Sequence, residues 1–283
     1  MIGGLAVRQT LPQPRQLAVL LVRAALDFLQ HNPPTLADEW PGERKLQHEL
    51  LTVLGQVGVI AAFGLAGALL WRRDFHWRWF IAALLLYVLY DALLTRAFFA
   101  IPAFPVAANW NWLGKFMSLI GMLIIAALPV FGYRRVGLTM RQQAGFRTPL
   151  LVFLGLLAVF ACLAIVDTGK VTDIETIAFQ WTMPSFDEEL FYRGVLLLAM
   201  NEAFTRRAQL LGAPIGYGGL LTSLLFGLAH GFGYADGGFF FEPAIFALTG
   251  VPSLILLWLR ERTGSLLLPM LAHSASNGLF TVL

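Results

Sequence analysis

Side chains with chemical potential occur at three places inside apolar stretches of the last hundred or so residues. They are Glu188, Glu189 and Arg193 in the first, Phe226 and His230 in the second, and His273 and Asn277 in the third. Ionisable groups are costly in apolar surroundings and are therefore functional candidates. A carboxylate and a histidine can activate water, and further hydrogen-bond donors can stabilise an oxyanion. The combination is typical of hydrolysis.

The first stretch contains two adjacent glutamates with different surroundings. Glu189 and Arg193 are four residues apart, so they share a helix face and can pair. Glu188 lies about 100° round the helix and points away from that arginine. This favours a chemical role for Glu188 and a supporting role for Glu189 and Arg193. The alternative is an acidic cluster at a helix N-terminus, stabilised by the helix dipole, which suits Asp187 but not Arg193.

The second and third stretches each have a structural alternative. His230 ends an apolar helix one turn after Phe226, and such a histidine can simply be a core residue bonded to a carbonyl. His273 and Asn277 are four residues apart and project from one face of the last helix. Two polar side chains there need partners, which a substrate, water or a neighbouring helix can supply.

The same side chains leave open whether the site binds a metal ion. Glu188, His230 and His273 could hold a zinc ion with a position left for water. The H-E-x-x-H pattern of common zinc proteases is absent. No metal ligand is therefore assigned, no cofactor is favoured, and zinc remains the alternative.

The composition indicates that these residues lie in a membrane. Of the 283 residues, 58% are apolar and 13% are charged, with a net charge of +3, whereas soluble domains have about 45–50% and about 25%. An ordinary soluble enzyme is excluded. The basic residues are spread over short connections between apolar runs, which predicts a lipid bilayer and no nucleic acid as partner. The one cysteine, Cys162, is expected to be a buried thiol without chemistry.

Eight runs approach the length of about 20 mostly apolar residues that a spanning helix needs. They are Leu50–Trp71, Trp77–Phe99, Leu113–Tyr133, Pro149–Val166, Phe186–Phe204, Gly216–Tyr234, Glu242–Leu259 and Ser265–Leu283. We therefore expect an all-α fold, a polytopic transmembrane bundle of about eight spans, or nine if Gln16–Leu29 also crosses.

Arginine placement predicts the orientation of the bundle. The connections after the first, third, fifth and seventh runs are rich in arginine, and those between them are poor in basic residues. By the positive-inside rule the rich connections are cytoplasmic and the C-terminus is outside. Glu188 and His230 then lie at one membrane level, and His273 lies near the middle of its span. This predicts a recessed polar cavity that opens towards the non-cytoplasmic side.

Taken in order, the three stretches resemble the three motifs of a known family. Glu188-Glu189-x-x-x-Arg193, Phe226-x-x-x-His230 and His273-x-x-x-Asn277 are similar to those of the CPBP family of intramembrane proteases, also called Abi or CAAX-protease-like proteins. The resemblance covers about Thr182 to Leu283. We therefore expect residues 181–283 to form the catalytic core and residues 1–180 to be an N-terminal transmembrane region without a recognised signature.

The resemblance implies an intramembrane endopeptidase. In such a protein Glu188 activates water together with His230, while His273 and Asn277 bind the oxyanion. Glu189, Arg193 and Phe226 would support them. The family includes endopeptidases that remove the C-terminal tripeptide of prenylated CAAX proteins, and bacterial members linked to peptide processing and bacteriocin self-immunity. It has been described both as metalloproteases and as metal-free glutamate proteases, so the resemblance does not decide the metal question.

The expected partner is a CAAX-like or other membrane-associated peptide or protein. In a bacterium the protein would lie in the plasma membrane, and a prenylated substrate would not be expected. Two other classes stay open. One is a non-enzymatic immunity or scaffold protein on the same fold. The other is a transporter, which is disfavoured because the charged positions cluster in one third of the chain instead of in paired halves.

Overall fold

A computed structural model describes residues 43–96, 109–143, 145–166 and 173–283, and these are mostly helical. Each of the eight predicted apolar runs contains a helix. The helices are α1 (Glu43–Leu70), α2 (Trp77–Thr95), α3 (Trp112–Ala127), α4 (Arg147–Val166), α5 (Ile174–Glu189), α6 (Leu197–Ala203), α7 (Tyr217–Gly231), α8 (Pro243–Thr263) and α9 (Leu267–Gly278). Short 3₁₀ turns lie at Arg72–Asp74 and Leu279–Thr281. The possible ninth span, Gln16–Leu29, lies outside the described residues.

Four of the described helices are long and apolar enough to cross a membrane. They are α1 over Leu46–Leu70, α2, α4 and α8. The helices α3, α7 and α9 have only 16, 15 and 12 residues, fewer than the roughly 20 that span a bilayer. The helical membrane bundle is therefore present, and the count of about eight spans stays a prediction.

Helix α4 presents most of its side chains outward. Only 11% of its apolar window is buried, and Cys162 is exposed. The expectation of a buried thiol at Cys162 is wrong. The reason is that an apolar helix at the rim of a membrane bundle faces lipid, so an apolar neighbourhood in the sequence does not imply burial in protein.

Two small β-hairpins are additions to the predicted all-α fold. Strands β1 (Arg207–Leu210) and β2 (Ala213–Gly216) form one, and β3 (Phe232–Ala235) and β4 (Gly238–Phe241) form the other. The second hairpin turns through Asp236 and Gly237, which both have positive φ, 50° and 83°. Asp-Gly is a strong signal for a two-residue hairpin turn. Here it follows the apolar run Gly216–Tyr234, which predicts a helix, and the hairpin was therefore not expected.

The helix that contains the two glutamates begins earlier than expected. The predicted start was Phe186, whereas α5 begins at Ile174, after Asp173 caps its N-terminus. The Thr176 backbone N–H and hydroxyl donate to the Asp173 carboxylate and hold its pKa below the usual value. Asp187 therefore lies in a helix interior, and its interpretation as an acidic N-terminus stabilised by the helix dipole is wrong.

Directly after Glu189 the helix widens. Residues Leu190–Leu196 form a π-helical segment that joins α5 to α6 without a break. All seven of these residues are buried, and the Phe191 ring stacks on that of Tyr90 from α2, with centroids 3.9 Å apart. π-Helical turns are rare in proteins overall, and many of those that occur lie at functional sites. This segment anchors the glutamates in the centre of the core.

Close packing of α8 fixes the end of helix α7, where His230 lies. A Cβ on Gly231 would come within 2.7 Å of the Phe246 backbone nitrogen, and one on Gly227 within 2.9 Å of the Phe246 ring. Neither position has room for a side chain. The two glycines therefore let helices α7 and α8 approach closely.

The membrane orientation can be tested by labelling. Asp236, in the turn of the second hairpin, and Arg206, before β1, are both exposed. With Cys162 replaced by serine, the positive-inside rule predicts that an impermeant thiol reagent labels Asp236→Cys in intact cells and leaves Arg206→Cys unlabelled. Labelling of Arg206→Cys without Asp236→Cys would show the opposite orientation.

Candidate active site

Helices α5, α7 and α9 bring three of the predicted site residues together. Glu188 is 14% exposed, and its Oε2 lies 3.9 Å from His273 Nε2. The Glu188 carboxylate also interacts electrostatically with His230. The arrangement is a recessed set of one carboxylate and two imidazoles, drawn from three separate helices.

The hydrogen bond of His230 fixes one of its ring nitrogens. Nδ1 lies 2.8 Å from the Phe226 carbonyl oxygen one turn earlier. A carbonyl only accepts, so Nδ1 carries the proton, and in the neutral ring Nε2 is then the basic nitrogen. The Phe226 ring packs against the imidazole, with centroids 4.6 Å apart. The backbone and Phe226 thus orient His230.

Glu189 and Arg193 form the buried pair expected from their spacing. Arg193 Nη1 donates to Glu189 Oε1 at 2.9 Å, and the two side chains are 2% and 0% exposed. The guanidinium carbon lies 4.4 Å from the centroid of the Phe226 ring. The predicted pairing is confirmed. It connects the acidic helix to the ring that packs against His230.

Glu189 also holds the second histidine. His273 Nδ1 lies 2.8 Å from the same Glu189 Oε1 that Arg193 contacts. The carboxylate accepts this hydrogen bond, so Nδ1 is the protonated nitrogen and Nε2 points towards Glu188. Glu189 and Arg193 therefore determine how His273 faces the site.

The structure gives Glu188 a partner that the sequence did not reveal. Lys115 Nζ from α3 lies 2.7 Å from Glu188 Oε1 and 3.1 Å from Asp187 Oδ2. Asp187 is fully buried and also accepts hydrogen bonds from Tyr90 at 2.7 Å and Ser118 at 2.6 Å. Glu188 points away from Arg193, as expected, and pairs with a different cation.

Lys115 could have been identified from the sequence. Lys115 is a lone charge near the start of the apolar helix α3, and the rule that singles out charges in membrane spans applies to it equally. Tyr90 and Ser118 carry no comparable signal, since such residues are ordinary in helices. All three come from the region 1–180, for which the sequence predicts only membrane spans.

Asn277 lies one helical turn beyond His273, near the end of α9. It is half-buried, and its Oδ1 accepts a hydrogen bond from Ser276 Oγ at 3.2 Å. Its backbone neighbour Gly278 packs against Trp181 of α5, where a Cβ would meet the indole at 2.2 Å. This close contact keeps the end of α9 beside the acidic helix. In the described part of the chain, no direct contact joins Asn277 to Glu188.

The side chains do not fit a metal ion. No group of three His, Cys, Asp or Glu side chains is placed to hold one in the described ranges. The Lys115 ammonium already contacts Glu188 Oε1, where a cation would bind. We therefore derive no chemical step through a metal.

Comparison with known families gives a match for this region. Residues 170–279 match the family model of Rce1-like proteins, type II CAAX prenyl endopeptidases. This segment is similar to the CAAX-protease-like family. The resemblance seen in the three motifs is thereby confirmed. No curated protein and no solved structure matches the chain.

Similarity of this segment to the CAAX-protease-like family points to a protease with a membrane-associated peptide substrate. It agrees with the apolar helices in showing an integral membrane protein. The match begins at residue 170, so Tyr90, Lys115 and Ser118 lie outside it. The division of the chain into regions 1–180 and 181–283 remains a prediction.

Proposed function

We propose that the protein is an intramembrane endopeptidase in which Glu188 is the general base. The observation that carries the proposal is the placement of Glu188, with Lys115 at 2.7 Å on one carboxylate oxygen and His273 at 3.9 Å from the other. The ammonium stabilises the carboxylate form that a base requires. The second oxygen is left to face the two imidazoles and a water molecule.

The proposed reaction needs no group outside the described residues except water. Glu188 Oε2, assisted by His230, takes a proton from water as the water oxygen bonds to the peptide carbonyl carbon. The resulting oxyanion receives hydrogen bonds from the Asn277 amide and from His273. Glu188 then delivers the proton to the leaving nitrogen as the carbon–nitrogen bond breaks. Both glutamates keep their charge at the end of the cycle.

Activity of the purified protein tests this proposal. The protein is reconstituted in liposomes with a library of internally quenched peptides, some ending in CAAX-like sequences and some not, and new termini are identified by mass spectrometry. The proposal expects cleavage of a subset of peptides. An immunity or scaffold protein would produce no new termini, and that result would overturn it. The substrate in the cell is a CAAX-like or other membrane-associated peptide, at the plasma membrane if the source is bacterial.

Lys115 gives a prediction about the rate of the chemical step. Lys115→Met removes the cation beside Glu188, so the carboxylate loses both its orientation and its charge partner, and kcat should fall about tenfold or more. Lys115→Arg keeps a cation that can reach Glu188 and should retain most of the activity. An unchanged kcat in folded Lys115→Met would show that Lys115 has no part in catalysis.

Metal removal gives another prediction. Lys115 provides the positive charge at Glu188, so no metal ion is needed there. Dialysis against a strong chelator should therefore change the cleavage rate by no more than about twofold. Loss of a catalytic base, by comparison, lowers the rate by about a hundredfold. Elemental analysis of the dialysed protein provides the control. Loss of activity on chelation, restored by stoichiometric zinc, would contradict this and make Glu188, His230 and His273 metal ligands.

A further inference from the structure

The hairpin β3–β4 follows directly after His230, and its hydrogen-bond pattern can be read from its register. Phe232 opposes Phe241, Gly233 opposes Phe240, and the strands are joined by a two-residue turn. In antiparallel pairs, hydrogen-bonded and non-hydrogen-bonded positions alternate. The next hydrogen-bonded position is marked by the bond from Glu242 N to the Gly231 oxygen, at 2.7 Å.

This alternation places the main-chain groups of Phe232 and Tyr234 on the outer edge of β3. One main-chain group of each residue has a partner on α1. The Tyr234 N–H donates to Thr52 Oγ1 at 2.8 Å, and Gln56 Nε2 donates to the Phe232 oxygen at 3.0 Å. The outer edge of β3 is thus covered by polar side chains of a neighbouring helix.

The outer edge of β4 is different. By the same alternation the N–H and C=O groups of Phe239 and Phe241 point away from β3. Among the described residues, none bonds these groups. The side chains are exposed as well, 56% for Phe239, 42% for Phe240 and 49% for Phe241. An uncovered strand edge is a template for pairing with another chain, and unpaired backbone groups are especially costly in a membrane.

We infer that the edge of β4 binds the substrate peptide as an added strand. The inference rests on the proposed function and names how its substrate docks. An endopeptidase needs an extended backbone at its catalytic groups, and strand addition to a free edge supplies one through main-chain hydrogen bonds. The edge ends at Phe241, and the next residue, Glu242, is bonded to Gly231 beside His230. A strand added to β4 has β4 between it and β3, and beside Phe241 it lies two strand spacings, about 10 Å, from the backbone next to His230.

The edge also defines the class of substrate. An added strand places its side chains beside those of β4, alternating between the face of Phe239 and Phe241 and the face of Phe240. All three neighbours are aromatic, and the hairpin turn carries the acidic Asp236. The preferred substrates are extended segments with apolar side chains at successive positions, and without an acidic residue next to the turn.

Proline substitution tests the edge without disturbing the hairpin ladder. Proline at 239 or 241 removes an outward N–H and is tolerated on edge strands. The probe is the quenched peptide that wild-type protein cuts fastest in the liposome library. Phe239→Ala and Phe241→Ala are the matched controls, because they remove the ring and keep the N–H. Relative to its alanine control, each proline variant should raise KM about three- to tenfold, the scale of one hydrogen bond, with little change in kcat.

A second measurement uses unaltered protein, so it does not depend on folding of the proline variants. The same peptide is N-methylated at one backbone nitrogen at a time. Strand addition predicts a rise in KM at every second position. Equal KM values for the proline and alanine variants, with no alternation of KM along the methylated peptide, would overturn the inference. If the peptide is still cleaved, the proposed function stands. Absence of cleavage of every library peptide by wild-type protein would overturn both.

Discussion

Replacing Arg193 with methionine is expected to lower the free energy of unfolding by about 3–5 kcal/mol, because it leaves the buried carboxylate of Glu189 without its cation. Both side chains are almost fully enclosed, at 2% and 0% exposure. One oxygen of Glu189, Oε2, already lacks a hydrogen-bond partner among the described residues. The change is measured as a shift in thermal or denaturant unfolding of the purified protein.

An exposed ion pair provides the matched control for this stability prediction. Arg135 and Glu202 are 2.6 Å apart, but their side chains are 46% and 36% exposed. Glu202→Gln should therefore cost less than about 1 kcal/mol. If Arg193→Met were as stable as Glu202→Gln and yet inactive, Arg193 would belong to the catalytic or substrate-binding set instead of the supporting one.

The second large effect is expected on catalysis. Glu188→Gln preserves the shape of the side chain and removes its basicity, so kcat should fall at least about a hundredfold, the usual scale for loss of a general base. His230→Ala should have a similar effect, since it removes the imidazole that assists the same water molecule. Both are measured with the fastest-cut library peptide under saturating conditions.

Membrane insertion and folding must be unchanged for these losses to be chemical. Yield, detergent gel filtration and thermal melting of Glu188→Gln and His230→Ala should match wild type, and Glu202→Gln should retain full activity. A folded Glu188→Gln protein with an unaltered cleavage rate would end the assignment of Glu188 as the base.

Local spacing predicted the contacts within one helix and missed those between helices. Glu189 and Arg193 pair because four residues make one helical turn, which any reader of the sequence can count. The bond between Lys115 and Glu188 joins positions 73 residues apart, and that between Glu189 and His273 joins positions 84 apart. Such contacts depend on how the helices pack, which periodicity does not specify.

Hydropathy located the helices better than it described their ends. The early start of α5 at Ile174 was missed because Glu175, Thr182 and Pro184 interrupt the apolar pattern. The turn at Asp236 and Gly237 was counted within a connection although it closes a hairpin. Burial was misjudged at Cys162, since hydropathy cannot distinguish a side chain that faces lipid from one that faces protein.

We propose that, of the two adjacent glutamates, Glu188 performs the chemistry and Glu189 positions the residues around it. Chemical rescue tests it most directly, because a small carboxylate can replace a missing base in an otherwise intact site. The cleavage rates of Glu188→Ala and Glu189→Ala are measured with increasing formate. We expect a saturable rise in rate for Glu188→Ala and none for Glu189→Ala. Wild-type activity of Glu188→Ala without formate, or rescue of Glu189→Ala alone, would contradict it.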